Sequence, residues 1–295
     1  MSKLASLKAG ISNPRLIALE FYRHFQRNVR GRLGVDVVHR DWDTLVLLDA
    51  CRYDIFERHV PFEGELSKVI SRGSHTSEFL KENFMARTLP DTVYVSATPQ
   101  LRAHELEENF HAVVQVWEDG WDDDLRTVLP KAMVEETLEA HESYPDKRVI
   151  SHFLQPHYPF IGDHGQEIEH GTITGGGVLE DERDFASIWE LLETGRVTRE
   201  DVWRAYVENL ELTIPHLERL LESIDGKIVV TADHGNSFGR MGVYGHPRGY
   251  YLPELVEVPW LELPFDRRRE ITADGTTDVA ATETVENRLR DIGYR

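Results

Sequence analysis

Two short apolar runs in this chain end on residues that bind cations. Lys227-Ile-Val-Val-Thr-Ala232 runs into Asp233-His234-Gly235, and Thr44-Leu-Val-Leu-Leu48 runs into Asp49. A carboxylate oxygen beside a neutral imidazole nitrogen is a donor pair for zinc or manganese, and a buried strand gains nothing by ending on either group. The glycine that follows lets the chain turn sharply. In open parallel sheets the carboxyl ends of the strands line the ligand crevice, so Asp49 and Asp233-His234 are expected to converge. Taken alone, Asp49 reads equally well as a helix N-cap.

Three further groups could complete such a centre. Ser71-Arg-Gly-Ser-His-Thr-Ser77 leads into the helical pattern Glu78-Phe-Leu-Lys-Glu82. Hydroxyls at that position are helix caps or, beside a metal, activated nucleophiles at a helix end that favours anions. Ser151-His-Phe-Leu-Gln-Pro-His-Tyr-Pro-Phe160 carries two histidines. His152 reads as a core residue. His157, stiffened by Pro156 and Pro159, reads as a ligand or a contact to a charged oxygen. Tyr244-Gly-His-Pro247 holds His246 in the same manner. Arg52 could meet an anionic substrate, or pair with Asp54.

The elements that must position these residues follow from hydrophobic pattern. Strands are expected at 44–49, 93–97, 112–117, 148–154, 227–232 and 256–262, with helices at 52–59, 76–86, 130–143, 199–224 and 277–291. In the 199–224 helix, Val202, Ala205, Tyr206, Leu210, Leu212, Ile214 and Leu217 form the apolar face, and Pro215 is placed to kink it. Alternating strands and helices imply an α/β fold, with a mostly parallel sheet covered on both faces. The Gly-rich stretch 161–184 reads as a surface loop. Asn13-Pro14 opens a helix expected to reach about Arg30, so the chain divides into a basic helical segment, 1–35, and a single catalytic domain, 36–295.

Composition sets bounds. With 295 residues, 40% of them hydrophobic, the chain can bury the core of one large α/β domain. A net charge of −19 excludes nucleic-acid binding, which needs a basic footprint. Acids outnumber bases 52 to 33, and most of the bases are arginine, a balance expected of a halophilic protein in which salt screens self-repulsion. The rival is an ordinary acidic enzyme. Cys51, the single cysteine, excludes an intrachain disulfide. No apolar run is long enough for a transmembrane helix, and the start lacks a signal-peptide core. A cytoplasmic location is therefore expected. Lys3, Lys8, Arg15, Arg23, Arg27, Arg30 and Arg32, interleaved with apolar residues, suit either packing on the protein's own acidic domain or peripheral contact with the inner membrane face.

Asp49 at a strand end, a hydroxyl at a helix start, Pro156-His-Tyr-Pro-Phe160, Thr231-Ala-Asp-His-Gly235, Gly245-His-Pro247 and Glu257-Val-Pro-Trp260 occur in that order. This order resembles the alkaline-phosphatase superfamily, in its sulfatase-like and phosphoglycerol-transferase-like branch. The resemblance spans Asp43 to Leu261 and implies a three-layer α/β/α sandwich. It makes Asp49, Asp233, His234 and Thr76 ligands of one divalent ion, Mn or Zn, with Thr76 also the nucleophile and Ser74 and Ser77 its rivals. It gives His157 and His246 to the transferred group's oxygens, to acid/base work or to a second metal, and Arg52 to the substrate. The implied reaction is hydrolysis or transfer of a phosphate ester, rather than a sulfate ester, through a covalent phospho-enzyme. Its substrates would be small molecules, surface glycans or lipid-linked glycoconjugates. The departures are informative. Cys51 is followed by Arg52-Tyr53-Asp54, so the Cys-x-Pro-x-Arg motif of sulfatases is absent. Asn236 stands where many relatives carry Glu, and no second-zinc motif is evident, which favours one metal over two. A non-catalytic member that binds anionic glycoconjugates is the alternative.

Overall fold

The computed structural model describes residues 34–174, 187–273 and 292. The basic segment 1–33 and the helix expected at 277–291 lie outside them.

Seven strands form one sheet: β1 (Thr44–Leu48), β2 (Glu65–Ile70), β3 (Leu89–Ser96), β4 (Phe110–Gln115), β5 (Arg148–Phe153), β6 (Ile228–Ala232) and β7 (Glu257–Glu262). Their spatial order is β2-β7-β6-β1-β5-β3-β4. Strands β6, β1, β5, β3 and β4 run parallel. Strand β7 is antiparallel to both neighbours. β1 lies at the centre, in register with β5 (Leu48 opposite Phe153) and β6 (Leu48 opposite Ala232). Asp49 and Asp233 therefore leave adjacent strands at the same level.

Among the described residues, the six longer helices are α1 (Tyr53–His59), α2 (Thr76–Phe84), α3 (Pro130–Ser143), α4 (Asp163–Thr174), α5 (Ile188–Glu193) and α6 (Arg199–Ser223). Alternate residues of β1 face opposite layers. Val46 and Leu48 join the core built with Met133 and Val134 of α3 and Tyr206 and Leu210 of α6. Leu45 and Leu47 join Phe79, Leu80 and Phe84 of α2. The three-layer α/β/α architecture expected from the sequence is present. Leu45 to Leu48 are wholly buried, each contributing about 1.5–3 kcal/mol, so the end of β1 is a firm platform.

Three expectations need correction. Strand β2 escaped notice because it is an edge strand whose first four residues are exposed, so its sequence lacks an apolar stripe. Helix α4 occupies part of the stretch read as loop. Helix α6 runs from Arg199 to Ser223 and contains Pro215, as expected. Its buried stripe runs Val202, Ala205, Tyr206, Asn209, Leu210, Thr213, Leu217 and Leu220, whereas Leu212 is exposed. The 3–4 spacing, once the face is known, selects two polar residues over an aliphatic one.

Candidate metal centre and active site

The site lies where β1, β5 and β6 end. Asp49 Oδ1 is 3.5 Å from His234 Nε2, and Asp233 Oδ2 is 3.4 Å from the same atom. One ligand atom from each of Asp49, Asp233 and His234 lies within 4.8 Å of the others, and all three side chains are fully buried. Thr76 Oγ1 is 3.1 Å from His234 Nε2 and 3.4 and 3.5 Å from the two Asp49 oxygens. The sequence-predicted ligands thus come together from three elements.

Local structure aims each of them. His234 Nδ1 donates to the Gly235 carbonyl at 2.9 Å, which leaves Nε2 as a lone pair toward the two carboxylates. Asp233 Oδ1 accepts from the backbone N–H of Ala50 (3.0 Å) and of His234 (2.8 Å). Ala50 adopts φ 60°, an uncommon conformation that turns its N–H into the site, and Tyr206 Oη donates to its carbonyl. Gly235 is required by proximity rather than by turn geometry: a Cβ there would lie 2.2 Å from the Glu254 carbonyl oxygen.

The start of α2 separates the three hydroxyls. Ser74 Oγ donates to Glu78 Oε2 (2.9 Å) and accepts from Gly249 N–H (3.1 Å), so it fastens the loop beyond His246 to α2. Ser77 Oγ lies 3.0 Å from His75 Nδ1. Thr76, at the first position of α2, is the hydroxyl that faces Asp49 and His234. A residue without an assigned role in the sequence, His75, caps α2 by accepting from Ser77 N–H at 3.1 Å. Its ring also stacks 6.2 Å from His234.

His157 and His246 meet beside the centre, their Nε2 atoms 3.3 Å apart. The loop bearing His157 is held from outside the site: His157 N–H donates to the Asp49 carbonyl (3.1 Å), and Asn209 Nδ2 donates to the His157 carbonyl (2.9 Å). His157 Nδ1 donates to the Tyr158 carbonyl, and His246 Nδ1 to Asn236 Oδ1 at 2.7 Å, so in both rings Nε2 faces inward. Burial, reinforced by the neighbouring His234, lowers the His157 pKa to about 4 and puts His246 well below its ordinary value. Burial likewise brings His75 down to about 2. All three are neutral near pH 7.

Arg52 follows the bland alternative in its main contacts. Its Nε and Nη2 reach Asp54 at 2.8 and 2.6 Å, and the guanidinium lies 5.0 Å from the Trp203 ring. Asn209 was missed in the sequence, although a lone amide on the apolar stripe of α6 was the available signal. His152 and Tyr94 form a second buried pair behind Asp233.

The donor set fits a divalent cation. Among the described residues, Asp233 Oδ2 is buried without a hydrogen-bond partner, and the basic side chains against Asp233 are imidazoles, not a guanidinium or ammonium. Two buried carboxylates and an imidazole lone pair within one small space repel one another until a cation joins them.

No protein-family model matches this chain, and no curated protein does. Solved structures do. The soluble domain of lipooligosaccharide phosphoethanolamine transferase A from Neisseria meningitidis matches with a TM-score of 0.48 and 11% identity, over 75% of each chain. The C-terminal periplasmic domain of EptC from Escherichia coli, in complex with Zn, matches at 0.43 and 12%, over 78% of this chain and 76% of that one. A phosphonate monoester hydrolase from Silicibacter pomeroyi matches at 0.41 and 12%, over 85% and 73%. Likeness at this level concerns architecture and carries no residue role across. The expected cytoplasmic location is corrected by these matches, which include a periplasmic domain, and is set aside. Among the described residues no helix is long and apolar enough to cross a membrane. In fold, the chain is similar to these phosphoethanolamine transferase domains and to the phosphonate monoester hydrolase.

Proposed function

We propose that the protein is a metal-dependent hydrolase or transferase of phosphate esters, with Thr76 as nucleophile. The observation that carries this reading is the approach of Thr76 Oγ1 to within 3.1–3.5 Å of His234 and Asp49, inside a buried acceptor cluster. Asp49, Asp233, His234 and Thr76 would hold one divalent ion, manganese or zinc. Such an ion supplies Lewis acidity, lowering the hydroxyl pKa and drawing charge from a phosphoryl oxygen.

The chain's own residues account for the rest. Thr76 Oγ forms a bond to phosphorus as the bond to the leaving oxygen breaks, giving a phospho-threonine; the Thr76 hydroxyl proton passes by way of a histidine Nε2 to the leaving oxygen. His157 and His246, with Nδ1–H committed to carbonyl oxygens, each offer Nε2 as a base. One of them accepts the proton of the incoming water or alcohol as that oxygen displaces Thr76, and delivers it to Thr76 Oγ so that the free hydroxyl is restored. Arg52 contributes at the rim. Phosphate is preferred over sulfate because the sulfatase cysteine motif is missing and Cys51 is wholly buried.

Substrates in this reading are phosphorylated small molecules or glycoconjugates, including lipid-linked ones. Residues 1–33 provide contact with an anionic surface, and deleting them should reduce partitioning onto anionic vesicles. The acidic composition sets the assay at high salt.

The test is a panel of aryl phosphate mono- and diesters and an aryl sulfate, with Mn or Zn, in several molar salt. Thr76→Ala should lower phosphoester turnover by about 10³-fold or more while divalent binding persists. Unchanged turnover would remove Thr76 from the mechanism. A wild-type protein without bound metal or activity would leave a module that binds anionic glycans.

A further inference from the structure

Behind Asp233, away from Thr76, lies a chain of buried polar groups that the proposed reaction does not use. Tyr94 of β3 and His152 of β5 are both buried, and Tyr94 Oη lies 2.8 Å from His152 Nδ1. The phenol is packed edge-on against Phe84 and Phe110, and burial raises its pKa well above the ordinary value. It therefore keeps its hydrogen, and His152 Nδ1 is the acceptor within reach. A neutral imidazole that accepts at Nδ1 carries its proton on Nε2. That Nε2 stands 3.9 Å from Asp233 Oδ2, and neither atom has a hydrogen-bond partner among the described residues. Water does not resolve the pair: a molecule about 2.8 Å from both atoms would be bent to roughly 90°, a poor geometry for a bridge.

Resting on the reading of Asp233 as a metal ligand, we propose that His152, oriented by Tyr94, is a positioning residue whose Nε2–H fixes Asp233 Oδ2 for the cation. The two oxygens of Asp233 then have separate tasks. Oδ1 is tied to the backbone at Ala50 and His234, and Oδ2 is the oxygen presented to the ion. Ligand carboxylates are commonly held by such outer partners, whose loss weakens metal binding by about 10–100-fold. From Tyr94 on β3 through His152 on β5 to Asp233 at the end of β6, the groups cross four adjacent strands (β3, β5, β1 and β6), so the sheet register itself sets the spacing.

The experiment is calorimetric titration of the full chain with Mn2+, and separately Zn2+, for wild type, Asp233→Asn, His152→Phe, His152→Gln and Tyr94→Phe. His152→Phe should bind about 10–100-fold more weakly. His152→Gln, which restores an N–H at similar reach, should recover part of the loss, and Tyr94→Phe should fall between. Nitrogen-15 spectra of labelled histidine should show His152 as the Nε2–H tautomer in wild type and a mixture in Tyr94→Phe. Wild-type protein that binds neither ion overturns the metal reading and this inference with it. Binding that is lost in Asp233→Asn yet equal to wild type in His152→Phe overturns this inference alone. Should His152→Phe fail to fold, Tyr94→Phe decides, because it keeps the ring packing: unchanged affinity and an unchanged tautomer would overturn the assignment.

Discussion

Strand β1 has a buried aspartate at each end, and the two are treated in opposite ways. At the start, Asp43 accepts from Arg268 Nε and Nη2 (2.8 and 2.7 Å), from Lys227 N–H (2.8 Å) and from Arg269 N–H (3.2 Å). Burial alone would raise its pKa, but the Arg268 guanidinium and the backbone N–H groups outweigh that and hold it below the usual carboxylate range. At the other end, Asp49 faces a hydroxyl and the lone-pair side of His234, with Asp233 beyond. The lesson concerns donors. A buried carboxylate met by fixed positive groups is held structurally, and one that faces a hydroxyl and an imidazole lone pair is, in the proposed reading, a ligand for a mobile cation.

The largest effect that would break this contrast concerns Asp49→Asn. It should weaken Mn2+ or Zn2+ binding by at least about 100-fold, beyond what loss of an outer partner costs. It should also raise the unfolding temperature of the metal-free protein, because one repelling charge is gone. A wild-type control at 100 times Kd should gain about 2.7 kcal/mol from the ion. Binding retained by Asp49→Asn would show that both ends of β1 are structural.

Asp43→Asn should do the reverse. It leaves metal affinity unchanged and lowers stability by about 1–3 kcal/mol, the cost of stranding buried partners, read by denaturant or thermal unfolding. A neutral result would mean that the partly exposed Arg268 contributes no more than a surface pair.

Acid should separate the two ends more gently. The neutral histidines of the site, His75, His152 and His157, have folded pKa values of about 2, 4 and 4, below the unfolded value of about 6.5. Burial is the main cause for each, and His141 near the far end, at about 3, behaves alike. A lowered histidine contributes stability that is complete above pH 6.5 and is lost as pH falls toward the folded value. The metal-free unfolding temperature should therefore decline from pH 6.5 to 4. The Asp43 contribution is complete above about pH 3.9 and is lost only below it. A curve flat from 6.5 to 4 would contradict the neutral histidine cluster.

The smallest effect is expected at the rim. Arg52→Lys should raise KM for a phosphodiester less than tenfold and leave kcat near wild type, since the guanidinium is already engaged with Asp54. A loss of turnover by about two orders of magnitude would instead promote Arg52 to the reacting centre.

Much of this arrangement was legible in the chain. The runs 44–48 and 228–232 are apolar on both faces, as central parallel strands must be, and their abrupt ends on Asp49 and Asp233-His234 marked the crevice. The Pro-bracketed His157 and the Gly-Pro-bracketed His246 also announced themselves. Edge strand β2 did not, because its first four residues are exposed on both faces and so show no period-2 stripe. Nor did Asn209, whose amide anchors the His157 loop from a helix far along the chain.

Residue type alone determined that this chain carries carboxylates and imidazoles at strand ends, hydroxyls ahead of a helical pattern and a net charge of −19. Type could not determine which hydroxyl faces the ligands, because Ser74, Thr76 and Ser77 are chemically alike and differ only in the direction the first turn of α2 gives each. Nor could it tell Asp43 from Asp49, which flank the same strand. That distinction is electrostatic and non-local: it is set by whether folding brings arginines or other acceptors to the buried carboxylate.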